Sequence, residues 1–301
     1  MIAIVIPYFK ILFLEETLRS LANQTDKRFK LYIGDDASPE NPSVLLEKYK
    51  GQFAFVYHRF ETNLGGISLV QQWDRCIALS SDEEWLMVLG DDDYLDNNFV
   101  ASWYKHYNHF VDKANVIRFA SILINEKGEK STVYIHPIWE CANSSFYRKF
   151  EYLTRSSLSE YVFSRDSYLK YGFHGYPLAW NSDDRAWFDF SDKKPLYTIN
   201  EAVVFVRLSS CSISGKKDNM DLKNKANYEF FNYIVKTKLA AFDQHQRHRI
   251  LDRYENAIKE VRKLKVNEWG LIIYSYLKFY DWVSLKRVLK RLVKQILKYE
   301  S

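Results

Sequence analysis

Short apolar runs alternate with amphipathic stretches through the first 125 residues. Ile2 to Ile6 is continuously apolar and stops at Pro7, the pattern of a strand buried on both faces. Leu14, Thr17, Leu18, Leu21 and Ala22 then recur at helical spacing. Lys30 to Gly34 reads as a second strand running into Asp35-Asp36, after which Ser38-Pro39-Glu40 opens a helix. Phe53 to Tyr57 reads as a third strand. Gly65-Gly66 breaks the chain before a helical segment from Ser68 to Leu79, and a fourth strand, Trp85 to Leu89, ends in Gly90 and three aspartates.

This alternation predicts an α/β fold with a largely parallel sheet. In such sheets ligands collect at the carboxyl ends of the strands, so Pro7-Tyr8, Asp35-Asp36 and Asp91 to Asp93 are expected on one rim. Val116 to Ile124 predicts a further strand, and a turn at Asn125 to Gly128 leads into another at Ser131 to Ile135. Between Arg148 and Arg207 aromatics crowd, with a helix start near Arg165-Asp166 and a strand at Ala202 to Arg207. Ser209 to Asn224 is polar and reads as a loop, and the pattern is helical from Ala226 onward.

A chain of 301 residues with 47% apolar and 27% charged residues can bury a large core. The net charge of +5 is concentrated in the last third, which does not describe a nucleic-acid binder. Cys76, Cys141 and Cys211 are well separated and odd in number, which suits a reducing cytosol better than a disulfide framework. The N-terminus has no basic lead or small-residue cleavage site, and no apolar run reaches the length of a membrane span.

Three consecutive aspartates after a buried strand repel one another. A hard divalent cation, Mg²⁺ or Mn²⁺, relieves that repulsion and takes phosphate oxygens as further ligands; the alternative is a solvated acidic turn before the next helix. The surroundings favour the cation. Ile4-Val-Ile-Pro-Tyr8, Leu18 to Thr25, Tyr32 to Ser38, Asn63-Leu-Gly-Gly66 and Leu89 to Leu95 stand in an order and spacing that resembles the family 2 glycosyltransferases. The ordered set covers residues 2 to about 100, and weaker similarity runs on to about 214.

The resemblance implies an inverting, metal-dependent glycosyltransferase of bacterial polysaccharide-biosynthesis type. It implies a GT-A fold over residues 1–225, with a nucleotide-binding half (1–100) and an acceptor-binding half with a closing loop (101–225), followed by a helical region (226–301). The donor would be a UDP-sugar and the acceptor a hydroxyl of a glycan or lipid-linked glycan. Pro7 and Tyr8 would floor the nucleotide pocket, Asp35 or Asp36 would read the uracil imide, and Asp91 would face the ribose. Asp92 is the first choice for the metal ligand, with Asp93 the alternative, because Gly90 stands where relatives often carry an aspartate.

Inversion needs a base for the acceptor hydroxyl. The segment Pro177 to Trp187 resembles the family's base region, with Asp184 the first choice and Asp183 the alternate; a pair of helix-capping carboxylates after Ser182 is the alternative. Trp180 and Trp187 flank it, suited to a sugar face or to the core. Arg207 and the loop after it resemble the segment that closes over the diphosphate. Relatives often place a histidine ligand there, and this chain has none between His174 and His245.

From 282 to 299, Leu285, Val288, Leu289, Leu292, Val293, Ile296 and Leu297 oppose Lys286, Arg287, Lys290, Arg291, Lys294 and Lys298. Such a basic amphipathic helix suits an anionic membrane surface, making the protein peripheral on the inner face of the plasma membrane; packing against protein is the alternative. Two other functions compete: a non-catalytic nucleotide-sugar-binding protein, and a sugar-nucleotide pyrophosphorylase, whose glycine-rich N-terminal loop is missing here.

Overall fold

The computed structural model describes residues 1–209, 212, 215 and 218–297, with the side chains of 295–297 excepted. The chain divides into two compact units, Met1–Asp218 and Asn219–Ser301. Cys211 and much of the loop after Arg207 lie outside the described residues, as do Lys298 and Tyr299 and the side chains of Ile296 and Leu297.

The first unit begins β1 (Ile2–Tyr8), α1 (Leu14–Ala22), β2 (Phe29–Asp35), α2 (Ser43–Tyr49), β3 (Phe55–Arg59), α3 (Leu69–Ile77) and β4 (Trp85–Val88). It continues through β5 (Tyr94–Leu95), α4 (Phe99–Phe110), β6 (Val116–Asn125), β7 (Trp139–Glu140), α5 (Ala142–Phe150), β8 (Tyr161–Ser164), α6 (Arg165–Tyr171), α7 (Ser182–Phe190) and β9 (Leu196–Leu208). Among the described residues these nine strands form one sheet, in the order β3-β2-β1-β4-β8-β6-β9-β5, with β7 also on β9. The β1–β4 half is parallel, and β8 enters antiparallel to both β4 and β6.

Alternation along β1 sends Ile2, Ile4 and Ile6 to one face, where they meet Leu14, Leu18 and Leu21 of α1 and Phe99 and Trp103 of α4. Ala3 and Val5 face the other way, toward Val70, Trp73 and Ile77 of α3 and Trp187 and Phe190 of α7. Both faces are therefore covered, and that is why β1, β2 and β4 read as unbroken apolar runs.

Three local expectations shift. The third strand lies two residues later than its apolar run, because Phe53 is buried in a turn bridged to Lys50 while Tyr57 and Arg59 pair with β2. The helix expected at Ser38 begins at Ser43, since Ser38 is held by Asp35 and by the Phe9 carbonyl and Ala37 sits at φ 53°. Ser131 to Ile135 forms only an isolated bridge to β6, through Tyr134 and Ser121.

The second unit is helical: α8 (Met220–Tyr233), a π-turn at Ile234–Lys238, α9 (Gln244–Val261), α10 (Val266–Lys278) and α11 (Trp282–Leu297). Asp243 and Gln246 close a capping box at the start of α9. Among the described residues no helix is long and apolar enough to cross a membrane.

Candidate active site

The parallel register places Tyr8 beside Asp35, and the Asp36 amide donates to the Tyr8 carbonyl at 2.9 Å. Asp91 Oδ2 accepts from the amides of Phe9 and Lys10, both at 2.8 Å. The three segments expected on one rim are thus joined by hydrogen bonds.

Their side chains divide into those that build the rim and those left to act. Tyr8 is fully buried and its hydroxyl donates to the Glu40 carbonyl at 2.8 Å, so it supports the floor from beneath, while Pro7 is half-buried. Asp35 accepts from the Ser38 amide at 2.8 Å, the Tyr57 hydroxyl at 2.5 Å and Arg59 at 2.8 Å. Asp36 accepts from the amides of Leu64 and Gly65 at 2.7 and 2.9 Å and pairs with Arg75, fixing the Asn63–Gly66 loop. Each keeps about one of a carboxylate's four acceptor positions.

In the acidic turn the division is sharper. Asp93 accepts the Ser159 hydroxyl at 2.5 Å and the Arg207 amide at 2.8 Å. Thr17 donates to the carbonyls of Asp91 and Asp93 and braces the turn from α1. Asp92 is different: it is half-buried, and among the described residues the hydrogen bond its carboxylate accepts is from its own amide, with Lys10 and Arg207 acting on it through their charge. Burial, followed by the charge of Asp92, pushes Asp91 up to about 6 and Asp93 up to about 7. Burial also raises Asp92, against the pull of Lys10 and Arg207.

Gly90 is what lets these carboxylates fold together. A Cβ there would stand 2.9 Å from Asp93 Oδ2 and 3.0 Å from Asp92 Oδ1. An aspartate at this position would need a different arrangement of the turn.

Among the described residues no three His, Cys, Asp or Glu side chains form a ready-made cation cage. The donor set does fit a cation held by one carboxylate, Asp92, together with water and phosphate oxygens, the habit of Mg²⁺.

Arg207, the residue that the resemblance sets beside the diphosphate, lies next to the acidic turn. Its side chain is buried, bonds the Asp92 carbonyl at 3.1 Å, pairs with Glu16 and lies 3.9 Å over the Phe13 ring. There it lines a cleft of about 510 Å³ with Arg19, Tyr94 and Phe205. The guanidinium ties β9 to α1 beneath the acidic turn.

The second acidic pair opens α7. Leu178, Ala179 and Asn181 all have φ between 53° and 67°, a run of left-handed residues that sets the direction of the helix start. Asp184 is buried and takes Lys149 Nζ on both oxygens, at 2.7 and 2.6 Å. Asp183 is half-buried, meets only the amides of its own turn, and is pushed up to about 7 by burial and then by Asp184, against the pull of Lys149. Trp187 stacks on Tyr161 at 4.0 Å and is core, while Trp180 is half-buried. Tyr161 follows Ser159, the partner of Asp93, by two residues, so β8 links the two acidic groups.

The family model described as glycosyl transferase family 2 matches residues 3–158, more than half of the chain. The chain belongs to that family. It is a glycosyltransferase, and the pyrophosphorylase reading falls away. No curated protein matches the chain.

Among solved structures it is similar to residues 1–349 of S. aureus TarS in complex with UDP-GlcNAc, with TM-score 0.64 and 15% identity over 92% of this chain and 80% of that one. The same fragment in complex with UDP gives TM-score 0.55 and 14% identity over 98% and 91%. At this identity the likeness establishes the fold, which is GT-A-like.

Lys149, Ser159, Tyr57, Arg59 and Arg75 were not singled out in the sequence. Each reaches the site from 22 to 69 residues away in the chain, and no local spacing signals that.

Proposed function

We propose that this glycosyltransferase moves a sugar, with inversion, from a UDP-sugar to a hydroxyl of a glycan or lipid-linked glycan. The observation that carries this reading is the unequal use of the acidic turn: Asp91 and Asp93 accept from donors elsewhere in the chain, and Asp92, among the described residues, accepts a hydrogen bond from its own amide alone. Solved complexes of a protein of the same fold with UDP-GlcNAc and with UDP support the choice of nucleotide. The rim of Pro7, Asp35, Asp36 and Asp91 would receive the nucleoside, with the remaining acceptor position of Asp35 or Asp36 available to an imide N–H.

Asp92 would hold Mg²⁺ or Mn²⁺ against the donor diphosphate, where a bound ion offsets the charge of the leaving group. The acceptor oxygen attacks the anomeric carbon, its proton passes to a carboxylate, and the bond from that carbon to the diphosphate oxygen breaks. The geometry favours Asp183 as that carboxylate, reversing the order expected from the sequence. Both oxygens of Asp184 are occupied by Lys149, whereas Asp183 is more exposed and raised to about 7, close to the ideal for a base at neutral pH.

The helical unit supports a peripheral position on an anionic membrane surface. Trp282, Val283, Leu289 and Val293 of α11 are exposed among Lys286, Arg287, Lys290 and Lys294. Leu285 and Val288 are instead buried, and Arg291 pairs with Glu255 of α9.

The deciding experiment is a screen of sugar nucleotides for nucleotide release, with Mn²⁺ and with chelator. Metal-dependent release from a UDP-sugar is expected. Failure to turn over any sugar nucleotide, together with failure to bind UDP, would remove the proposal.

A further inference from the structure

We propose that Lys149 is a positioning residue that divides the labour of the acidic pair, fixing Asp184 in place and leaving Asp183 as the proton acceptor. The inference rests on the reading of this pair as the source of the base, and adds a residue that the family motifs do not include.

Lys149 stands in the last turn of α5, with its ammonium nitrogen 2.7 Å from Asp184 Oδ1 and 2.6 Å from Asp184 Oδ2. Straddling both oxygens commits the Asp184 carboxylate to this ion pair. A small enclosed space lined by Ser145, Phe146, Tyr161 and Trp187 surrounds the contact, so water has limited room to compete for the ammonium group. A charge pair held this way in poor solvent is costly to break from one side, and α7 is correspondingly fixed against α5.

Asp183 precedes Asp184 at the start of the same helix and is half-buried. The charged groups acting on it are Asp184 of its own helix and Lys149 of α5; Tyr161 of β8 acts on Lys149 and Asp184. With Lys149 present, the charge of Asp184 is opposed in part, and Asp183 is raised to about 7 by burial and then by Asp184. Without Lys149, two adjacent carboxylates would share a buried site with no counter-charge, the condition that strongly raises one of them. The alternative is a plain tether, in which the ion pair joins two helices and has no bearing on Asp183.

Carbon-13 NMR titration of aspartate-labelled full-length protein separates these, with Asp183 and Asp184 assigned by their Asn variants. Wild type should show Asp183 titrating near 7. Lys149→Met should move that midpoint up by about one pH unit or more, and Lys149→Arg should restore most of it. Lys149→Gln, which keeps a donor for Asp184 but no charge, should move the midpoint up as well, which keeps the test open if Lys149→Met does not fold. A plain tether predicts lower thermal stability in Lys149→Met with the midpoint unchanged, and that result would overturn the inference. So would an unchanged or lowered midpoint in Lys149→Gln. Retained nucleotide release in Asp183→Asn would remove the base reading while leaving the titration result standing, so the two failures are distinguishable.

Discussion

Ser159 donates its hydroxyl proton to Asp93 Oδ2 at 2.5 Å and accepts the Gly90 amide at 3.0 Å. One hydroxyl thus bridges both ends of the acidic turn from the residues that lead into β8. Ser159→Ala should leave a buried amide and a buried carboxylate each short of a partner, costing about 1–3 kcal/mol. Urea unfolding followed by fluorescence should show a lower midpoint with an unchanged slope. An unchanged midpoint would mean that the turn is held by Thr17 and Arg207 alone.

Asp92 should behave in the opposite way to its neighbours. Among the described residues its carboxylate accepts no hydrogen bond from another residue, so Asp92→Asn should stay within about 0.5 kcal/mol of wild type in stability. The same variant should lose the Mn²⁺-dependent part of UDP binding in calorimetry. Asp93→Ala removes the acceptor for Ser159 and for the Arg207 amide, and should destabilise the fold by about 1–3 kcal/mol. If Asp92→Asn binds UDP with undiminished metal dependence, the cation is held elsewhere.

The sheet and the rim were legible because they depend on short-range pattern. Ile2 to Ile6 and Trp85 to Leu89 are apolar at every position since both faces of the sheet are covered, and a rim at strand ends follows from parallel pairing alone. The third strand was misplaced because Phe53 looks like a strand residue but buries its ring from a turn. α5 and the turn Leu158–Glu160 before β8 carry no clear period, so the elements bearing Lys149 and Ser159 were invisible, and with them the different partners within each acidic group. For Arg207 the motif located the residue next to the turn, but which side its guanidinium takes is decided by Glu16 and Phe13 of a distant segment.

His136 supplies a pH signature for the first unit. It is buried, Arg148 donates to its Nδ1 at 3.2 Å, and burial followed by Arg118, Arg148 and Arg155 pushes it down to about 2. An unfolded histidine takes up its proton near 6.5. Between these values the unfolded chain binds the extra proton, so this contribution is complete above 6.5 and declines below it, by about 1.4 kcal/mol per pH unit. Asp91, Asp93 and Asp183 are raised and act in the opposite direction between their ordinary range and about 7. The quantity to read is therefore the stability difference between wild type and His136→Gln, which keeps an acceptor but does not titrate. That difference should move against wild type as pH falls from 6.5 to 5; a constant difference would show that the imidazole takes up its proton in the folded chain as readily as in the unfolded one.

If Asp183 is the base, transfer must fall away as it protonates. Its carboxylate is raised to about 7, so kcat should rise with pH through that value and level off above it. Asp183→Asn should lose roughly 10²-fold or more in kcat while retaining UDP affinity. Asp184→Asn also frees Lys149, so its loss should be accompanied by a downward displacement of the acid limb. A dead Asp184→Asn beside a near-normal Asp183→Asn would restore the order first expected from the sequence.

The membrane reading has to be tested on the exposed face of α11 and not by truncation. Removing the chain after Val266 would also delete Trp269, Ile272 and Tyr276, which are buried, and so would unfold what it was meant to probe. Lys286, Lys290 and Lys294 are exposed and engaged in no ion pair among the described residues, so reversing them to Glu should leave the helical unit folded. Basic residues near an anionic surface contribute about 1 kcal/mol each, so the triple reversal should abolish sedimentation with phosphatidylserine-containing vesicles. Trp282→Ser should weaken binding to the same vesicles without changing its salt dependence, because an indole at the interface contributes through its apolar body. Wild-type protein that partitions equally onto neutral and anionic vesicles, or onto neither, would leave the exposed face of α11 without a lipid role.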